Sequence, residues 1–124
     1  MAALSTSAAH ASAFFREALA EGAVWTIADD KGHPAPLTPE GQRALPFWSK
    51  PTRAQRIVDG VAAYEGFHLV RLDLDDWTSR VLPDLEANGM LVGINWSGSS
   101  AQGYDLTPEA ALSRLRPEKP RTDD

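Results

Sequence analysis

The sequence predicts an α+β fold, a two-layer sandwich in which three to four helices pack on a small, mostly antiparallel or mixed sheet. Segments with apolar residues at helical spacing alternate with short runs of β-favouring residues. The composition, 43% hydrophobic and 23% charged, is that of a globular chain, and 124 residues suffice for one core. We therefore expect a single domain over 1–124, with an ordered core at about 8–116 and a flexible tail at 117–124.

The first third of the chain predicts a helix, a strand and an irregular stretch. Apolar residues recur at helical spacing in "AAHASAFFREALAEG", and Gly22 can end this helix in the left-handed conformation. A strand follows around 24–27. The next stretch is expected to be a loop or an irregular edge, because Pro34, Pro36 and Pro39 lack amide donors. Only "ALPFW" is expected to rejoin the sheet.

The segment "LPFWSKPTRAQRIVDGV" predicts a second helix preceded by two large aromatic residues. Ser49 can cap the first turn, where Pro51 is tolerated because the first amides of a helix have no intrahelical partner. The helix is therefore expected to begin at Ser49 or Lys50. Phe47 and Trp48 are expected to be core residues that seal the sheet against the helices.

The second half of the chain predicts two further strands and two further helices. "GFHLVRLDL" is expected to be a central or near-central strand, and "MLVGINW" the last strand. The helix between them is interrupted or kinked by Pro83 and stopped by Asn88 and Gly89. "SGSSAQGYD" is predicted to be a loop by its composition, and Thr107 to cap a final short helix.

Composition and charge exclude several classes of partner. A net charge of −5 and a pI near 5.1 argue against nucleic acid, whose phosphates need clustered Lys and Arg. The absence of Cys rules out disulfides and thiolate chemistry and suits a reducing compartment. No apolar run approaches the roughly 18 residues of a membrane span. We expect a cytoplasmic protein without nucleic-acid partner, membrane contact or cofactor.

Neither histidines nor carboxylates predict a catalytic or metal site. His10, His33 and His68 are far apart in sequence and form no ligand spacing, so no metal is expected. Turn chemistry and helix capping account for the paired carboxylates at 29–30 and 75–76. We therefore predict no catalytic residue.

The strongest candidate for a binding site is "NWSGSSAQGYD", which leaves the last strand. Its small polar side chains and glycines form a loop whose backbone amides can hold an anion. It lacks the Gly-Lys-Ser/Thr of a P-loop and the serine elbow of hydrolases. Trp96, at the strand exit, is expected to be partly exposed. The candidate binding residues are Trp96, Ser97, Ser99, Ser100 and Tyr104.

Several motifs along the chain together resemble one family. They are "FW" before a polar helix start and "RAQ", then "VLPDLEANGMLVGINW", and a terminal "LTPEAAL" helix. These are similar to the DUF2750 family, small bacterial domains with an "FWS" type motif, a helix with Leu-Pro then Asp/Asn-Gly, and a strand ending in Asn-Trp or similar. The resemblance covers roughly residues 10 to 115. It implies a bacterial cytosolic setting and supplies no catalytic residues.

Two hypotheses follow for function. The first is a non-catalytic interaction or regulatory module, with an immunity-type role compatible with its size and acidity. It would bind a protein partner, or a second copy as a homodimer, through Trp96 and the following loop. The alternative is a small-molecule-binding protein or a hydrolase-like enzyme that uses the Ser97–Tyr104 loop. This alternative requires His68 within hydrogen-bond reach of a serine hydroxyl at 97, 99 or 100.

Overall fold

The computed structural model describes residues 6–38, 40–98 and 102–115, and it confirms the α+β class. The predicted tail lies outside the described residues. The elements in chain order are α1 (Thr6–Glu21), β1 (Ala23–Ala28), β2 (Ala44–Phe47), α2 (Pro51–Gly60), a 3-10 turn (Ala62–Tyr64), β3 (His68–Asp73), α3 (Leu74–Asp76), a π-helical segment (Trp77–Val81), α4 (Leu82–Ala87), β4 (Leu91–Ser97), β5 (Gln102–Leu106) and α5 (Pro108–Leu115).

The strands form two small sheets joined by one bridge. β1 pairs with β3 in antiparallel fashion, while β4 pairs with β2 in parallel and with β5 in antiparallel fashion. Between the two sheets, the backbones of Trp25 and Trp48 exchange hydrogen bonds of 2.8 and 2.7 Å. The strand order is therefore β3-β1-β2-β4-β5, a mixed arrangement.

The prediction that "GFHLVRLDL" is a central or near-central strand was wrong. Among the described strands, β3 pairs with β1 alone and lies at the end of the strand order. Three of its side chains, His68, Arg71 and Asp73, are exposed, while the others are half-buried. Alternation of this kind is typical of an edge strand with one covered face.

The prediction that "SGSSAQGYD" is a loop was also wrong in part, because its second half forms β5. Gly103 lowers the strand propensity of this stretch, yet it is needed there. A Cβ atom at Gly103 would lie 2.9 Å from Cδ1 of Trp96 and 3.0 Å from the carbonyl oxygen of Ile94. The close approach of two strands and an indole ring thus requires a glycine.

The helix predictions hold, except for the first residue of α2 and the capping role of Ser49. α1 ends where predicted, with Gly22 at φ 69°. α2 begins at Pro51 rather than at Ser49 or Lys50, and Lys50 is the residue before its first turn. Thr107 caps α5 as predicted, because its Oγ1 accepts the N–H of Ala110 at 3.1 Å.

Before Pro83 the helix changes from α-helical hydrogen bonds, four residues back, to π-helical hydrogen bonds, five residues back. Proline has no N–H to donate to the preceding turn. Just before Pro83, the backbone widens into the π-helical segment, and the N–H of Leu82 donates to the carbonyl of Trp77. The chain then resumes as α4, with Pro83 in its first turn, where a missing N–H costs little.

Two buried clusters form the core, and Phe47 and Trp48 enter different ones. Phe47 packs with Phe14 and Trp77, whereas Trp48 packs with Ile57 and Trp96. Successive residues of an extended chain point to opposite sides, so adjacent aromatic residues serve both clusters. Both rings are fully buried, which confirms that this pair belongs to the core.

None of the helices among the described residues is long and apolar enough to cross a membrane.

Candidate functional site

A partly buried polar cluster of Glu17, Ser49, Arg53 and Asn95 joins three elements of the fold. The backbone N–H of Ser49 donates to Asn95 Oδ1 at 3.0 Å, and Asn95 Nδ2 donates to Ser49 Oγ at 3.1 Å. The Ser49 hydroxyl itself donates to Glu17 Oε1 at 2.7 Å. Ser49, predicted to cap α2, instead connects α1 to β4. Such a fully satisfied network fixes the elements around it.

Arg53 and Glu17 form a two-pronged ion pair within this polar cluster. Arg53 Nη1 lies 2.5 Å from Glu17 Oε1, and Nη2 lies 3.2 Å from Oε2. Nη1 also donates to Ser49 Oγ at 3.1 Å. The hydrogen bond from Arg53 is the main reason why the pKa of Glu17 falls from 4.5 to about 2. Partial burial opposes this change, and the hydrogen bond from Ser49 adds to it.

We predict that Glu17→Gln lowers the free energy of unfolding at pH 7 by about 2 kcal/mol, with allowance for screening at the part-exposed Arg53. A carboxyl group whose pKa is lower in the folded state stabilises the protein above its unfolded pKa. The wild type should therefore lose this contribution as the pH falls from 4.5 towards 2, and Glu17→Gln should lack that part of the pH dependence.

Denaturant unfolding of both proteins at a series of pH values measures this difference. Glu21→Gln is the matched control, since Glu21 is on the same helix in an exposed pair with Lys50. It should change stability by less than about 0.5 kcal/mol. Parallel pH curves for the wild type and Glu17→Gln would contradict the prediction.

Asn95 reaches the polar cluster because β4 is irregular at this point. Its φ of 47° lies in the left-handed region, which asparagine adopts more readily than most residues. The pairing of β4 with β5 shifts register between Ile94 and Ser97. This irregularity places the Asn95 amide against Ser49.

Trp96 is buried, whereas we expected partial exposure. Its side chain is 5% exposed, and its Nε1 donates to Asp105 Oδ1 at 2.9 Å. Its carbonyl oxygen accepts a hydrogen bond of 2.8 Å from Trp48 Nε1. Burial raises the pKa of Asp105 above its usual value, and the bond from Trp96 offsets part of that rise. Trp96 is thus a fixed wall and not a mobile surface ring.

An open cleft of about 460 Å³, here called the α2–β4 cleft, adjoins the polar cluster. Its walls are largely apolar, and two arginines, Arg53 and Arg56, also line it. Pockets of this volume accept small ligands or large anchoring side chains. The lining residues are Ala13, Arg53, Arg56, Ile57, Gly60, Val61, Asn95, Trp96, Ser97 and Gly98.

The structure brings two of the candidate binding residues to this cleft. Trp96 and Ser97 line it, and Ser97 is exposed. Tyr104 pairs with Ile94 in the β4–β5 ladder and packs against the cluster that contains Phe47, so it does not line the cleft. The remaining candidates, Ser99 and Ser100, lie outside the described residues.

The structure does not bring His68 and Ser97 together. His68 starts β3, whereas Ser97 ends β4, and both β1 and β2 lie between these strands. Three strand spacings separate them by on the order of 14 Å. His33 Nδ1 lies 3.0 Å from the carbonyl oxygen of Ile27. Within the described residues, no group of three His, Asp or Glu side chains could hold a metal ion.

Four residues of the site were missed by sequence reasoning: Glu17, Arg53, Arg56 and Asn95. Glu17 and Asn95 resemble any polar residue of a helix or strand, so their pattern carries no signal. Arg53 and Arg56 did carry one. Residues three apart share a helix face, and both arginines lie within about one turn before the apolar Ile57 on an otherwise acidic chain.

Comparison with known proteins identifies a family and a distantly similar solved structure. The family described as "Protein of unknown function (DUF2750)" matches residues 11–115. No functionally curated protein matches the chain. A solved structure, "Anabaena Tic22 (protein transport)", is similar over 67% of this chain, at 13% identity and a TM-score of 0.42. The match spans 46% of the Tic22 chain.

Proposed function

Because this chain belongs to the DUF2750 family, whose function is unknown, we propose its role from its own site: a non-catalytic module that binds a partner protein in the α2–β4 cleft. The observation that carries the proposal is that the α2–β4 cleft is open and apolar, and that hydrogen bonds hold the residues around it in place. Ile57, Val61 and Trp96 give the recess apolar walls, although each is at most 9% exposed. An anchoring side chain from a partner would fill it.

The frame around the cleft supports binding without rearrangement. Asn95 and Arg53 line the cleft and also belong to the polar cluster, whose hydrogen bonds connect α1, α2 and β4. Trp96 is held at both its Nε1 and its carbonyl oxygen. A preformed wall lowers the ordering cost of association, so more of the interaction energy appears as affinity.

The chemistry of the polar cluster favours binding over turnover. The Ser49 hydroxyl is fully buried and already donates to Glu17. Glu17, with a pKa near 2, is too weak a base to remove a proton from a serine at neutral pH. These side chains therefore support a structural frame better than a nucleophile and its base.

The experiment compares Ala13→Trp with Ala20→Trp. The two alanines are seven residues apart on α1, and only Ala13 lines the cleft, so the same indole fills the cleft in one variant and faces solvent in the other. The wild type would be used to purify a partner from the source organism, and binding would be reconstituted with that purified protein in a calorimeter. We expect binding to survive Ala20→Trp and to fall at least 10-fold in Ala13→Trp.

Equal affinity of the two variants for the reconstituted partner would overturn the proposed site. Both variants must show wild-type circular dichroism and a similar unfolding midpoint, so that loss of binding is not loss of fold.

A small molecule is the alternative occupant, and the volume of the cleft is sufficient for one. About 460 Å³ lies within the range of small-ligand pockets. If the wild type retains no protein but native mass spectrometry shows a bound compound that Ala13→Trp excludes, the small-molecule function replaces the protein-binding one.

A further inference from the structure

We infer that the segment which docks in the α2–β4 cleft carries a carboxylate beside its apolar anchor, and that Arg56 selects this carboxylate. This inference rests on the proposed function and names the chemistry of the partner: an acidic, apolar peptide segment. Ile57 and Val61 would contact the anchor, and Arg56 at the margin would contact the acidic side chain next to it.

The local charge at the cleft is opposite to that of the whole protein. The chain carries a net charge of −5. The charged residues that line the cleft are both arginines: Arg53 is paired with the carboxylate of Glu17, whereas Arg56 is not. A positive group on a negative protein attracts an anionic ligand to that place.

Arg56 is the guanidinium left for a ligand. Arg53 already directs Nη1 and Nη2 to Glu17 and Ser49. Arg56 is an exposed residue of α2, directly before Ile57, and its guanidinium makes no ion pair or hydrogen bond with another described residue. Its planar fork can bind a carboxylate through two parallel hydrogen bonds.

The one guanidinium left for a ligand, that of Arg56, matches a carboxylate better than a phosphate. A phosphorylated side chain carries nearly two negative charges. One of these would remain unpaired near the ionised Glu17, whose carboxylate is held within the polar cluster beside the same cleft. Repulsion between this unpaired charge and the carboxylate of Glu17 lowers the affinity of a phosphorylated ligand. An aspartate or glutamate is therefore the better partner.

The cleft is also shaped for a segment of a larger molecule. Arg56, Gly60, Ser97 and Gly98 line it and are exposed, so one side of the cleft is open to solvent. A peptide covers that side with its own backbone, whereas a free small ligand would keep much of its surface in water.

The test uses random 12-residue peptides displayed on phage, selected on the full chain and counter-selected on Ala13→Trp. We expect the enriched peptides to share a large apolar residue within about two positions of Asp or Glu. Synthetic copies would be measured by fluorescence anisotropy against wild type, Arg56→Gln and Arg80→Gln. Arg80 is exposed, pairs with Asp76 and does not line the cleft, so it is the matched loss of charge.

Arg56→Gln should lower the affinity for the acidic peptide about 10-fold, and Arg80→Gln should leave this affinity unchanged within about twofold. A copy of the peptide with Asn or Gln in place of the acidic residue should bind the wild type about 10-fold more weakly than the acidic peptide does. This neutral copy should bind the wild type and Arg56→Gln with the same affinity. A phosphoserine copy that binds more tightly than the acidic one would overturn the assignment of a carboxylate.

The two levels of the proposal fail in different ways. If no peptide is enriched over the Ala13→Trp counter-selection, the cleft does not bind peptides and the proposed function falls with the inference. If cleft-dependent peptides are enriched without an acidic residue, or if Arg56→Gln leaves affinity unchanged, the inference is wrong while the peptide-binding cleft stands.

Discussion

Trp48→Ala is expected to remove about 4–5 kcal/mol from the free energy of unfolding, a large part of the stability of a domain this size. The Trp48 ring is fully buried and packs with Ile57 and Trp96. Its Nε1 donates a buried hydrogen bond to the carbonyl oxygen of Trp96. In Trp48→Ala this carbonyl oxygen would lose its hydrogen-bond donor. The ring therefore holds α2, β2 and the end of β4 together. Urea unfolding followed by circular dichroism measures the loss.

Two other variants separate packing from hydrogen bonding. Trp25→Ala deletes the same ring from the other side of the β1–β2 bridge, where the side chain is only half-buried. Trp25→Ala should lower the free energy of unfolding by about half as much as Trp48→Ala does. Trp48→Phe keeps most of the buried area and loses the N–H, so it should cost about 2 kcal/mol. Equal losses for Trp48→Ala and Trp25→Ala would contradict the prediction that the fully buried ring of Trp48 contributes more to stability than the half-buried ring of Trp25.

Elements with a strong local pattern could be predicted from the sequence, and their boundaries follow local chemistry. Gly22 ends α1 and Thr107 caps α5 because these effects act within one turn of the chain. Phe47 and Trp48 could be assigned to the core because they come directly before a helix whose apolar stripe needs a partner surface, and both rings are buried.

The position of β3 and the existence of β5 depend on pairing between distant segments. An apolar run such as "GFHLVRLDL" has the same local pattern whether it has one neighbouring strand or two. β5 contains Gly103, which disfavours strands locally, and it forms because β4 supplies hydrogen bonds and Trp96 requires the space. Neither condition can be read within a window of neighbouring residues.

The candidate site was predicted in part, for the same reason. The exit of β4 was identified, since glycine and serine after a strand mark a loop, and Trp96 and Ser97 do line the cleft. The residues that hold the site come from far away in sequence. Ser49 is 46 residues from Asn95 and 32 from Glu17, so only the folded chain shows that they meet.

Gly93→Ala is expected to lower the free energy of unfolding by about 3 kcal/mol and to open the wall of the cleft. A Cβ atom at Gly93 would lie 2.5 Å from Cζ2 and 2.6 Å from Nε1 of Trp96, closer than such atoms can approach. The indole must move, although it is 5% exposed and hydrogen-bonded to Asp105. Chemical denaturation gives the stability, and the indole N–H resonance of Trp96 in a proton–nitrogen NMR spectrum reports its displacement.

Gly60→Ala is the control that makes this result specific. A Cβ atom at Gly60 meets nothing within 4 Å, and the residue ends α2 with an ordinary backbone conformation. The change should be neutral or slightly stabilising, because alanine loses less backbone entropy in a helix. If Gly93→Ala lowers stability and shifts the Trp96 resonance while Gly60→Ala changes neither, then the wall of the cleft depends on the space that Gly93 leaves for the buried indole. An unshifted Trp96 resonance in Gly93→Ala would mean that the strand backbone yields first, and that the wall is less rigid than its hydrogen bonds indicate.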